Sequence, residues 1–135
     1  MIRLSTKIRY GLRTLIHLAS REDGVPVAIR EIAENQHIPR KYLECVVQLL
    51  KNGGLVSSLR GPDGGYSLAR KPADILMSEV FEALEGPLVL VDCVENSKIC
   101  SRTADCMAHR FYGWMQHELR EKLAHKTLAD VLQGK

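Results

Sequence analysis

The chain has 135 residues, of which 45% are hydrophobic and 26% charged, with a formal net charge of +3. That length suits one domain, or a compact domain with an accessory element, and it can bury a core without disulfide staples. No apolar run approaches the roughly 20 residues of a membrane span, and the start, MIRLSTKIRYGLRTLIHLAS, interleaves charge with apolar residues and lacks a signal-peptide core, so a cytoplasmic protein without a membrane partner is expected.

The first helix is expected in STKIRYGLRTLIHLAS, where Ile8, Leu12, Leu15, Ile16 and Ala19 recur at helical spacing. Ser5 or Thr6 can cap it, and Arg9 and Arg13 fall on the face left to solvent or a partner. A break follows at REDGVP. AIREIAENQ gives a short second helix with Ile29, Ile32 and Ala33 inward. HIPRKYLECVVQLLKNGG gives a third, started near Pro39 and ended by Asn52-Gly53-Gly54. Its buried stripe is Leu43, Val46, Val47 and Leu50, which leaves Arg40, Lys41, Glu44, Cys45, Gln48 and Lys51 on the other faces.

LVSSLR and YSLAR then read as short strands around a GPDGG turn. Tandem helices followed by a helix and a hairpin is the layout of a winged helix-turn-helix. Its second motif helix, residues 39–52, would enter the major groove, and the hairpin around 61–65 would be the wing. MSEVFEALEGP is a further short helix, capped near Ser78 and stopped by Gly86-Pro87. AHRFYGWMQHELREKLAHK is a longer amphipathic helix with Phe111, Tyr112, Met115, Leu119 and Leu123 in one stripe. That stripe needs a partner, and a symmetric dimer is the simplest supply. TLADVL closes the chain, with Thr127 and Asp130 placed as a capping box.

Charge is unevenly spread. Residues 1–60 carry 10 Lys/Arg against 5 Asp/Glu, and residues 61–135 carry 9 against 11. The first half favours a polyanion and the second does not. On the third helix, Arg and Gln can read purine edges and Glu can accept from cytosine N4. A solvated helix face would carry the same charges. The Gly-rich hairpin with Arg60 at its base decides for DNA, where Arg60 can enter a minor groove or hold a phosphate.

Between the last two long elements lies DCVENSKICSRTADCMAHRF, residues 92–111, with a Cys-x6-Cys-x5-Cys-x2-His pattern at Cys93, Cys100, Cys106 and His109. In a reducing compartment, clustered cysteines point to metal, cluster or redox chemistry. Thiolates bind soft metals and iron–sulfur clusters, and imidazole can replace a thiolate on iron. Zinc is less favoured, because ribbon glycines and Cys-x2-Cys pairs are absent. Cys45 stands apart, and a lone helix cysteine is more often a packing residue. His17, His37, His117 and His125 have no ligand-like spacing. No Ser/His/Asp order, phosphate loop or paired carboxylates appear, so no enzyme is expected.

GLVSSLRGPDGGYSLAR after KYLECVVQLLKNG resembles the winged-helix regulators of the Rrf-two family, and within it the IscR-like iron–sulfur cluster regulators. The resemblance runs from RLSTKIRYGLRTL to TLADVL. It implies a homodimer on a palindromic promoter site in double-stranded DNA. It also implies a [2Fe–2S] cluster on Cys93, Cys100, Cys106 and His109, and groove contacts from Glu44 and Arg60. Phosphate contacts are implied near Ser5, Thr6, Lys7, Tyr10, Lys41 and Tyr42. The first cysteine gap is one residue longer than in IscR-like members, and Cys45 stands where they have glutamine, so it cannot make glutamine's bidentate contact to adenine. The related nitric-oxide sensors use an N-terminal aspartate as fourth cluster ligand. Here that place is Arg9, which stays protonated and cannot ligate iron.

The expectation is therefore a mainly α fold: a winged helix-turn-helix domain at 1–86, a cluster-binding loop at 87–109, and a dimerisation helix with a C-terminal turn at 110–135. Other readings of the same residues are a thiol, zinc or nitric-oxide sensor on this fold, or, in a different class, an iron–sulfur carrier for electron transfer.

Overall fold

Apolar spacing sets the first three helices. In the computed structural model, which describes residues 1–21 and 24–135, they are α1 (Thr6–Ala19), α2 (Ile29–Gln36) and α3 (Arg40–Asn52). Glu22 and Asp23, part of the break expected after α1, lie outside the described residues. The Ser5 hydroxyl caps α1 by accepting from the Ile8 N–H at 3.2 Å. The buried face of α1 centres on Ile8, Gly11, Thr14, Leu15 and Leu18, rotated from the expected stripe, while Leu12, Ile16 and Ala19 are half-buried. Gly11 explains the rotation. A Cβ there would stand 2.4 Å from Leu84, so α1 meets the fourth helix at close range on that line. The stripe expected on α3 is fully internal, with Leu43, Val46, Val47 and Leu50 each at most 1% exposed. Each such side chain contributes about 1.5–3 kcal/mol by leaving water.

The wing is β1 (Val56–Leu59) paired antiparallel with β2 (Gly65–Leu68), in register from Val56 opposite Leu68 to Leu59 opposite Gly65. A third partner was not foreseen. Val27, in the link before α2, exchanges both backbone hydrogen bonds with Tyr66 at 2.8 Å. Gly65 makes this possible, because it sits at φ +155° and a Cβ would lie 2.3 Å from the Val27 carbonyl oxygen. The hairpin is thereby fixed to the helical body.

Helix α4 (Met77–Glu85) packs on α1 and α3. Ser78 does not cap it. The cap position is Leu76, whose N–H donates to the Glu79 carboxylate at 3.0 Å. A short α5 (Asp92–Glu95) carries Cys93, the long α6 (Met107–Ala124) packs on α4, and α7 (Leu128–Leu132) ends the chain. Thr127 and Asp130 make the reciprocal capping bonds of α7, both at 3.0 Å. The sequence grouped α7 with the long helix. In the fold it returns to the winged body: the Leu128 N–H donates to the Ile75 carbonyl, the Met77 N–H donates to Lys126, both at 2.8 Å, and Leu128 is fully buried in the common core. Among the described residues, no helix is long and apolar enough to cross a membrane.

Candidate nucleic-acid interface and cysteine loop

The outer face of α3 presents Arg40, Lys41, Glu44, Cys45 and Gln48, all exposed. Pro39, Lys41, Tyr42, Glu44, Cys45 and Gln48 line a shallow open depression on it. Glu44 pairs with Arg40 at 3.6 Å, and Gln48 donates to Asn52 Oδ1 at 2.8 Å, so both side chains rest on exposed local partners that can be exchanged. The Tyr42 ring meets Tyr10 edge-on at 5.4 Å, which sets the first turns of α1 beside α3. Lys7 is exposed on that side, Thr6 accepts from Arg9 at 3.3 Å, and Ser5 is engaged as the cap. Arg60, expected at the base of the hairpin, is exposed directly after β1 in the turn that joins the two strands. The residues expected to meet DNA thus fall on the start of α1, the outer face of α3 and the wing.

Arg13, read from sequence as free for solvent or a partner, has an internal task. Its guanidinium lies over the Tyr10 ring, 5.7 Å from the centroid, and donates to the backbone carbonyl of Gln36. It therefore closes the C-terminus of α2 just before the motif turn, where His37 adopts a left-handed conformation with φ 53°.

The cysteine loop is built on the N-terminus of α6. Cys106 is the cap residue, and its sulfur accepts from the His109 N–H at 3.4 Å. The His109 ring nitrogen Nδ1 stands 3.4 Å from the Cys93 sulfur. The Cys93 sulfur and the His109 ring, from two elements, therefore meet beside the helix end that Cys106 caps. Cys100 is exposed beside a run of turns, where its carbonyl accepts from Thr103 at 3.4 Å. All four cysteines are free thiols, and among the described residues no three His, Cys, Asp or Glu side chains are gathered closely enough to hold a metal ion together. By donor chemistry, three thiols and an imidazole suit an iron–sulfur cluster. By geometry, the Cys93 sulfur meets the His109 ring, the Cys106 sulfur accepts from the His109 backbone, and Cys100 is exposed.

The Rrf2 family, described as an iron-dependent transcriptional regulator, matches residues 4–134. The chain belongs to the Rrf2 family. It is 37% identical to Protein rrf2 of Nitratidesulfovibrio vulgaris, over 98% of this chain and 88% of that one. Its fold superposes on the structure of CymR, the global cysteine regulator of B. subtilis, with a TM-score of 0.81 at 32% identity, covering 100% of this chain and 99% of that one. The T. potens IscR structure gives a TM-score of 0.78 at 32% identity, covering 98% of this chain and 88% of that one. The relatives are regulators, not enzymes, and the Rrf2 chain is accordingly a transcriptional regulator with a winged-helix DNA-binding fold.

Within this Rrf2 chain the sequence reading passed over one group of residues. Gln116 is 2% exposed in the middle of α6, where it bonds the segment that carries Cys93. The available signal was a polar residue one helical turn after Tyr112, next to the apolar stripe. Of the stripe itself, Phe111 is 53% and Leu119 39% exposed while Tyr112, Met115 and Leu123 are half-buried, and Trp114, outside the expected stripe, is 58% exposed.

Proposed function

We propose that this chain is a homodimeric regulator that couples iron–sulfur status to promoter binding, with a [2Fe–2S] cluster held by Cys93, Cys100, Cys106 and His109. The observation that carries the reading is the approach of His109 to Cys93 at the helix end opened by Cys106. A cluster there would supply a redox-active and labile ligand. The chain's own residues do the rest. His109 must present an unprotonated ring nitrogen, which makes retention sensitive to pH. Cys100 must be drawn from solvent, which orders residues 96–106 against α6. Since α6 also offers an uncovered aromatic face, a second copy covers Phe111 and Trp114 there, and ordering the loop changes how the two winged domains are held apart. A two-fold dimer reads a palindromic site through its paired α3 helices, with Glu44 and Gln48 at base edges and Arg60 in the flanking groove.

Anaerobic purification with iron and sulfide counting, visible absorption, and EPR before and after dithionite tests this. About two irons and two sulfides per chain, with a signal that appears only on reduction, is the expected result. Identical affinity and sequence preference of iron-loaded and iron-free dimers in footprinting would sink the coupling.

A second reading is favoured by the exposure of Cys100 and by the likeness to a regulator whose name refers to cysteine. It is a thiol-state sensor that uses the same loop without iron. No iron or sulfide after anaerobic reconstitution, together with DNA affinity that follows the thiol–disulfide ratio, would establish it in place of the first.

A further inference from the structure

A buried amide is costly unless both of its ends are bonded, and those of Gln116 are. Its Oε1 accepts from the Leu90 N–H at 2.8 Å, and its Nε2 donates to Glu95 Oε1 at 2.6 Å. The same carboxylate oxygen accepts from Arg120 Nη2 at 2.8 Å. Arg120 also donates twice to the Leu88 carbonyl, at 3.0 and 2.6 Å. Glu95 is the last residue of α5, the four-residue helix that carries Cys93. A helix of one turn does not hold itself, and α5 contains no buried residue. Its position depends on what it bonds to.

We infer that Glu95, Gln116 and Arg120 form a clamp that positions Cys93 against His109 and ties it to the 87–90 linker. They are positioning residues of the cysteine site, and the inference rests on the reading of Cys93 as a functional thiol. Two observations give the clamp a reach beyond the loop. Its other ends are backbone groups of Leu88 and Leu90. Those residues line a groove with Leu4, Ser5 and Ile8, at the start of α1 where phosphate contacts are expected. A displacement of Cys93 therefore pulls on Glu95, on the linker through α6, and on the wall of that groove. The clamp biases the winged body only if it is made in one state of the loop and altered in the other, which is a statement about relative stability of two arrangements.

The test begins without iron. The reduced, iron-free full chain is alkylated with N-ethylmaleimide, and the labelling rate of each cysteine is read by peptide mass spectrometry. Gln116→Ala and Arg120→Ala are expected to raise the Cys93 rate roughly five- to tenfold, as for one ordinary hydrogen bond lost from a local closing equilibrium, while Cys45 and Cys100 keep their rates. Arg120→Lys should restore part of the protection. A Cys93 rate unchanged in both alanine variants, with native circular dichroism, overturns the clamp. Should Gln116→Ala fail to fold, Arg120→Ala, which removes a partly exposed side chain, decides the matter alone. Anaerobic reconstitution is the second arm: faster loss of iron from Arg120→Ala than from the parent supports the clamp, and equal retention counts against it. A parent that takes up no iron refutes the cluster reading and leaves the labelling rates to judge the clamp.

Discussion

The winged body and the segment from 87 to 124 are held by different forces. In the body, Leu15, Ile32, Leu43, Leu50, Leu55 and Ile75 are fully buried, and helices from both ends of the chain share that core. In the later segment the only buried residue is a glutamine, and the linker and α5 are tied to α6 by Gln116, Arg120 and Glu95. Apolar packing is dense, of low compressibility, and offers no polar group for a ligand or a thiol state to rebond. A few directed polar bonds can be exchanged at a small net difference in free energy. On the function proposed above, the contrast places a rigid winged body beside a part whose arrangement a ligand or a thiol state would alter.

Four measurements would break or sharpen this contrast. The largest effect is expected on α6, where Phe111→Glu with Trp114→Glu should abolish self-association. A two-fold interface loses both aromatics from each copy, on the order of 4 kcal/mol or more. Sedimentation should then show monomer at concentrations where the parent is a dimer, and an unchanged dimer would move the interface elsewhere. Next is Leu128→Ala. If α7 belongs to the body's core, urea unfolding should show a loss of about 2–5 kcal/mol, whereas a loss near zero would return α7 to the C-terminal segment.

Arg60→Ala should leave thermal stability unchanged, because the residue is exposed. It should weaken promoter binding by about ten- to hundredfold in fluorescence anisotropy, the size of a lost charge-assisted bond. Full retention of affinity would remove the wing from the interface and favour the carrier reading. The smallest effect is at Asp130. The Thr127 backbone N–H, then its hydroxyl, hold this carboxyl below its ordinary value of 3.8. A depressed folded value stabilises above the unfolded one, and the contribution is lost as pH falls through the folded value. Asp130→Asn should therefore lower the melting temperature at pH 7, and the gap to the parent should begin to shrink below about pH 3.8 and vanish only below the lowered folded value.

The helices of the body were legible because a 3.6-residue period survives any tertiary context. Val46 and Val47 are adjacent in sequence, and both are buried because the stripe of α3 is wide. The turn was legible at GPDGG because glycine and proline restrict the backbone locally. The bond of Val27 to Tyr66 was not, because strand pairing across 39 residues leaves no local period to detect. The cap of α4 was misplaced by two residues, because a carboxylate three positions on served in place of a hydroxyl. In the cysteine loop, Cys106 and His109 follow from helix spacing, whereas the approach of Cys93 to His109 depends on where α5 is held.

The sequence by itself determined the winged-helix class, the outer face of α3 and the four candidate donors, because these rest on residue chemistry and on local periodicity. Only the tertiary structure decided that α7 closes the body's core, that Arg13 ends α2, and that Cys93 meets the His109 ring while Cys100 stays exposed. Those outcomes depend on which backbone groups and side chains meet across long separations. Such meetings are selected by packing and hydrogen-bond satisfaction over the whole chain, not by any single stretch of it.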